Sequence, residues 1–275
     1  MKKLISHLLF SATFIFSFLL ISAQDEVGFS GGKIMTDTKN PLIITRNILS
    51  ALISPIIFKG DDKTAYRDPA VLYYHHTFYL FFTLCKTEED EKIYSYTAMS
   101  TSRDLKNWTA IKILTPKDQS LDFSSPGDVV RYNNEWIFCL QTYPRPGYTA
   151  GHDPMFGTKD SRLYIMQSKD LEHWSSPELL KVKGPGISID QMGRMIDPYL
   201  LKDKDVKGKW WCFYKQNGIS LSYSYDLKNW TYAGHTEAGE NPCVLVEDSE
   251  YILFHSPKNG IGIKRSVDLE HWHDW

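Results

Sequence analysis

An all-β propeller is the fold class that this sequence predicts, and three observations carry the prediction. A short pattern, Ser-x-Asp-Leu-x-x-Trp, recurs four times: "TSRDLKNW" at 101–108, "QSKDLEHW" at 167–174, "SYSYDLKNW" at 222–230 and "RSVDLEHW" at 265–272. Each copy closes a similar unit, in which a carboxylate-containing loop leads into a short apolar strand and then an aromatic one: "TFYLFFT", "EWIFCLQT", "KWWCFYKQ" or "EYILFHS". Long amphipathic helices are scarce, and short strands between polar turns fit four-stranded blades around an axis. A β-sandwich would not explain the repeated turn chemistry.

Taken in chain order, residues 1–23 read as a secretory signal peptide. Lys2 and Lys3 start it, an apolar run extends from Leu8 to Ile21, and "ISA" ends at Ala23. The run is short for a membrane span, and no basic stop-transfer cluster follows it. The expected product is a periplasmic or secreted chain, residues 24–275, forming a single β-propeller catalytic domain. Residues 40–60, "NPLIITRNILSALISPIIFKG", hold apolar strand candidates that either complete the last blade or form part of a fifth. The last copy of the repeat needs such help, because only three residues follow Trp272.

Within each unit a third strand precedes the repeated motif, as in "KIYSYTAMS" or "ISLSYS". In the motif, Ser and Asp are suited to bonding nearby backbone in a turn, while Leu and Trp pack between units. The two "NWT" triplets match glycosylation acceptors but fall inside this turn, which explains them without modification. His75 and His76 fit a turn between two strands, since neighbours on a strand face opposite ways and do not ligate jointly. Cys85, Cys139, Cys212 and Cys243 follow or interrupt apolar runs and match no zinc or redox spacing. They read as buried thiols, although an exported chain could pair some of them.

The formal charge of -2 offers no basic excess to attract nucleic acid. No phosphate loop, dinucleotide loop or strong metal-ligand set is present, so the metal assignment is none. Aromatic residues, 14% of the chain, serve equally as core packing or as flat sugar-binding surfaces, and composition does not choose between them.

The chemistry lies in the loops entering the units. Asp68 in "RDPAV", Asp197 in "IDPYLL" and Glu240 in "GENPCV" each precede a proline by one or two positions. In a propeller these loops meet at one end of the axis. A lone Asp-Pro merely shapes a turn, but three acids in a four-fold repeat suggest one site. Three ionised acids would repel one another, and protonating one relieves this and supplies an acid near neutral pH. The set suits glycoside hydrolysis: one group protonates the leaving oxygen, and a carboxylate about 6.5–9.5 Å away activates water, inverting the anomeric centre.

The segments "YRDPAV" at 66–71, "MIDPYLLKDKDVKGKWWCFY" at 195–214 and "GENPCVLVEDSEYILFHS" at 239–256 resemble the three catalytic regions of family 43 glycoside hydrolases. "SPGDVVRYNNEWIFC" at 125–139 resembles that family's second-blade segment, so the likeness runs over about residues 60–275. It implies a five-bladed propeller, with four blades explicit in the sequence and the fifth unassigned. It also implies inverting action on arabinose- or xylose-containing glycans, with Asp68 as general base, Asp197 as the carboxylate that tunes and positions, and Glu240 as general acid. "GENP" stands where the family more often has Glu-Gly-Pro. The blade-five histidine that often supports a central metal-and-water site in that family is not assigned in this sequence. The chemistry implied needs no cofactor, and a structural calcium or other ion in the central channel is compatible with it.

Further candidates for sugar contact are Arg67 and Arg194 beside the Asp-Pro segments, Asp128 in "PGDVV", His152 and Asp153 in "AGHDPM", and His255 after "YILF". For each, turn support, packing or charge compensation is the bland alternative. The expected partner is a carbohydrate oligomer or polysaccharide, with no nucleic acid and no permanent membrane span. The long loop 142–162 would close one end of a cleft, which favours exo-action. The competing functions are a noncatalytic carbohydrate-binding propeller, and related enzymes acting on fructan or algal anhydrogalactose glycans. Mannoside phosphorylases of similar fold also compete.

Overall fold

The second strand of each unit is apolar on both sides, and this decides the architecture. In "TFYLFFTLCKT" five successive residues, Leu80 to Leu84, are buried. A strand buried on both faces must lie between two layers. Phe81 meets Phe138 and Trp174 of the next unit, whereas Phe82 on the opposite face meets Phe58 and Tyr66. Sheets therefore stack face to face through their aromatic strands.

The computed structural model describes residues 56–275. The first blade pairs β1 (Thr64–Tyr74), β2 (Thr77–Thr87), β3 (Ile93–Ser102) and β4 (Lys112–Ile113) in chain order. The second contains β5 (Phe123–Ser124), β6 (Val129–Tyr132), β7 (Glu135–Thr142), β8 (Leu163–Ser168) and β9 (Glu178–Leu179); β5 and β6 both pair with β7, as two halves of one interrupted inner strand. A single capped turn, α1 (Ile189–Met192), precedes the third blade: β10 (Ile196–Lys202), β11 (Trp210–Lys215), β12 (Ile219–Ser224) and β13 (Trp230–Thr236). The fourth consists of β14 (Glu240–Glu247), β15 (Glu250–Ser256), β16 (Gly262–Ser266) and β17 (His273–Asp274). All pairings within the blades are antiparallel.

The propeller expectation holds, but the count of five does not. Four sheets are present among the described residues, and no strand pairing joins the fourth to the first. Three interblade cores follow the chain: Phe81, Phe138 and Trp136 between blades one and two; Leu140 belongs to the same core, while Cys139, Leu200 and Trp210 lie between two and three; Phe213, Val244 and Leu253 lie between three and four. The signal-peptide segment lies outside the described residues, as do residues 40–55 of the segment expected to close the ring. Its described end, Ile57 and Phe58, packs on the outer face of the first blade, beside Tyr66, Phe82 and Trp108. Among the described residues, this end does not pair with the C-terminal blade.

The repeated motif is a self-contained turn between the third and fourth strands. In every copy the Ser hydroxyl donates to the Asp carboxylate and accepts the Asp N–H. The same carboxylate accepts the N–H groups two and three residues on. The Trp indole donates to the Leu carbonyl. Leu105, Leu171, Leu227 and Leu269 all have φ between 57° and 67°, a left-handed conformation that this hydrogen-bond cage holds against its steric cost. Asn107 and Asn229 donate their side-chain amides to Asp104 and Asp226, so the "NWT" asparagines belong to the turn. His75 and His76, both at positive φ, form the two-residue hairpin between β1 and β2. All four cysteines are unpaired, three of them buried.

Candidate active site

The site is built on an irregularity repeated at the start of the inner strands. In β1, β10 and β14 the pairing register slips by one residue, between Arg67 and Ala70, Ile196 and Tyr199, and Glu240 and Cys243. Each slip is a β-bulge, which re-aims side chains without ending the strand. At each bulge the residue before proline has a left-handed backbone: Asp68 (φ 50°), Asp197 (φ 54°) and Asn241 (φ 54°). Ser125 (φ 40°), ahead of Pro126, marks the corresponding break between β5 and β6. Asp and Asn tolerate this region better than most residues.

The bulges show that the three acids are not strictly equivalent. Asn241, not Glu240, matches Asp68 and Asp197, and Glu240 matches Arg67 and Ile196 one position earlier. The three acids nevertheless share one cleft of about 1070 Å³, lined also by Arg67, Thr83, Gln141, Tyr143 and Asn241.

In the second, third and fourth blades the N–H at this position is held by a side chain of the preceding blade. Ser125 N–H donates to Thr83 Oγ1 (2.7 Å), Asp197 N–H to Gln141 Oε1 (2.5 Å), and Asn241 N–H to Asp197 Oδ2 (3.2 Å). Thr83 in turn donates to Asp68 Oδ2 at 2.9 Å. Glu240 is placed differently. Gly239 N–H donates to His255 Nδ1 (2.9 Å), and a Cβ at 239 would lie 1.9 Å from the Ser256 carbonyl oxygen. Glycine is required here by this close approach.

Electrostatics separate the acids. Asp197 is pushed up to about 7, first by burial, then by the charge of Asp68 and more weakly by that of Glu240; Asn241 N–H and Arg194 oppose the rise. Arg67 is raised, chiefly by the adjacent Asp68 carboxylate. It is exposed and lines the same cleft as the three acids.

The other candidates divide. Arg67 lines the cleft. Arg194 does not; its guanidinium lies over the Tyr143 ring at 5.7 Å, and Tyr143 is part of the wall. Asp128 accepts Leu200 N–H at 2.8 Å and ties blade two to blade three. His152 and Asp153 are exposed on the crest of the long loop and stand outside the lining, which continues instead with Pro154, Met155 and Phe156. His255 is buried against Gly262 beneath the Glu240 loop, and burial lowers its basicity. Asp128, His152, Asp153, Arg194 and His255 therefore do not line the cleft as the sequence reading expected. It missed Thr83, Gln141 and Asn241. The available signal was a polar residue late in an aromatic strand, as in "YLFFTL" and "IFCLQT".

Among the described residues, no group of three or more His, Cys, Asp or Glu side chains is arranged to hold a metal ion. No helix among them is long and apolar enough to cross a membrane.

The fold recurs in solved structures. An exo-1,5-α-L-arabinanase from a bovine ruminal metagenomic library is 21% identical, with 78% of this chain and 75% of that one covered at a TM-score of 0.52. An α-L-arabinofuranosidase from Podospora anserina is 14% identical, covering 78% and 69% at 0.53. A family 43 protein from Bacillus licheniformis is 18% identical, covering 79% of this chain and 43% of that one at 0.51. At such identities the likeness shows the fold. Among curated proteins no match was found. The family model described as glycosyl hydrolases family 43 matches residues 62–220, more than half of the chain and including the segments that carry Asp68 and Asp197. This protein is a glycoside hydrolase and belongs to family 43.

Proposed function

We propose that this glycoside hydrolase inverts the anomeric centre and removes terminal sugars from arabinose- or xylose-containing glycans. One observation carries the reading: Asp68, Asp197 and Glu240, from three blades, line one cleft in which Asp197 is raised to about 7. Glu240 gives its proton to the glycosidic oxygen as the bond from that oxygen to the anomeric carbon breaks. Asp68 takes a proton from the water whose oxygen forms the new bond. Asp197 lies in the field of both and orients the sugar. Inversion follows if water and leaving group occupy opposite faces of the ring.

The sugar class rests on the family and on the arabinan- and arabinoside-cleaving neighbours of the same fold. Exo-action rests on the loop 143–162, whose residues Pro154, Met155 and Phe156 wall the cleft. Export rests on the leader-like residues 1–23, and mature material should begin at Gln24. The test is a glycan hydrolysis screen with time-resolved NMR. Arabinose or xylose released as the inverted anomer is the expected product. Oligosaccharides of mixed length released from a long chain before any monosaccharide would overturn exo-action, and a retained anomer would overturn inversion.

A further inference from the structure

The long loop between β7 and β8 carries two large apolar side chains that contribute little to the core. Phe156 is 80% exposed and Met155 is 41% exposed, yet both line the cleft that holds the three acids. The loop is anchored at both ends. On its rising side Ile93 N–H donates to Tyr148 O, Ala150 N–H to Glu91 O, and Gln119 Nε2 to Tyr148 O, tying the loop to blade one. On its descending side Thr158 N–H donates to Pro144 O at 3.1 Å. Gly157 rests directly on the Tyr143 ring, and a Cβ there would come within 2.5–2.7 Å of three ring carbons. The side chain of Tyr143 has Arg194 over its ring at 5.7 Å and Arg145 at 5.9 Å. Arg145 is itself fixed by the buried Asp122, with Nε to Oδ2 at 2.7 Å. Phe156 is thus presented by an anchored turn on a supported aromatic post.

An exposed aromatic residue aimed into a cleft otherwise rich in carboxylates, amides and hydroxyls suits a ligand with two kinds of surface. A sugar ring is such a ligand: its hydroxyl rim takes hydrogen bonds, and its C–H face is apolar. We propose that Phe156, with Met155 beside it, forms a stacking wall that receives the C–H face of a sugar ring of the bound glycan. This rests on the reading of the cleft as a glycan site but assigns a binding role to a loop outside the acid machinery. Phe156 supplies the flat face, and the flexible thioether of Met155 fills the contact beside it. Gly157 sets the height of the wall, because any larger residue there pushes the turn off Tyr143.

The experiment separates this wall from the chemistry. Full-length D68N protein, slowed at the bond-breaking step, is titrated calorimetrically with xylo- and arabino-oligosaccharides, with and without F156A. The expected result is a Kd about threefold to tenfold weaker for F156A, restored by Phe156→Tyr or Phe156→Trp. In the active chain, F156A should raise KM by a similar factor while kcat stays within about twofold. Equal affinities in the two backgrounds, or a weakening that Tyr and Trp fail to restore, would overturn the wall even if the enzyme cleaves glycans. Binding that depends on Phe156 in a chain that cleaves none of these oligosaccharides would keep the wall and reject the proposed cleavage mechanism. No binding of any oligosaccharide to D68N would overturn both.

Discussion

The hydroxyl of Thr83 stands between Ser125 and Asp68: it accepts Ser125 N–H at 2.7 Å and donates to Asp68 Oδ2 at 2.9 Å. A hydroxyl has one hydrogen, and here it goes to Asp68, because the Ser125 N–H can only donate and takes one of the oxygen's lone pairs. Oδ2 of Asp68 is therefore engaged by Thr83, which leaves Oδ1 to meet water. Thr83→Val should lower kcat about tenfold with KM within about twofold, and Thr83→Ser should recover most of the loss. Equal kcat for wild type and Thr83→Val would show that the hydroxyl does not position Asp68.

Asp68 and Glu240 should fail in different ways. Each of D68N and E240Q is expected to lose about 10²–10⁴-fold in kcat/KM on a natural glycan. On an activated aryl glycoside, whose leaving group needs little protonation, E240Q should recover much of its rate and D68N should not. Folding is checked separately by circular dichroism. Near-wild-type turnover in both folded variants would reject the assignment.

Asp197 should make stability depend on pH. Its folded value of about 7 lies above its ordinary 3.8, so the folded state holds a proton that the unfolded state has released. Its favourable contribution is complete below about pH 4 and is lost as pH rises towards 7. D197N lacks this titration and can still accept Asn241 N–H through its amide oxygen. Melting curves should show D197N gaining on wild type from pH 4 to pH 8, by on the order of 2–4 kcal/mol at the upper end. A difference that is flat or reversed across that range would remove burial of Asp197 as the cause.

Gly239 holds Glu240 in place through a contact that leaves no room for a side chain. Gly239→Ala must move either Ser256 or the start of β14. The expected outcome is a loss of activity of at least tenfold with a melting temperature lowered by only a few degrees, because the bulge edge shifts while the interblade cores remain. Full activity in this variant would show that the fourth-blade bulge tolerates displacement.

The Ser-x-Asp-Leu-x-x-Trp turn was legible because all its hydrogen bonds close within seven residues, as the Ser102–Trp108 copy shows. Repetition of a local structure is visible in one dimension. The second strands were legible for a similar reason: continuous aromatic runs such as "KWWCFY" must be buried on both sides. These two features determined the propeller class and the order of the units. The Asp-Pro pairs marked where the inner strands begin, and so pointed to Asp68 and Asp197.

Tertiary structure decided the rest. The four blades of the described residues match the four copies of the repeat; what the repeat could not decide was whether a further blade joins them, since that depends on how sheets meet, and the fifth blade implied by the family resemblance is not among the described residues. The one-residue bulge that sets Asn241, rather than Glu240, in register with Asp68 appears only when each inner strand pairs with its neighbour. Thr83 reaches Ser125 across 42 residues, and Gln141 reaches Asp197 across 56. Such partners carry no local signature, because a side chain that accepts one distant N–H imposes no pattern on the residues around it. The sequence by itself thus determined the turns, the strands and two of the acids' loops. Pairing within the first blade and packing between the later ones determined which groups hold those acids, because only they bring Thr83 against Asp68 and Gln141 against the bulge at Asp197.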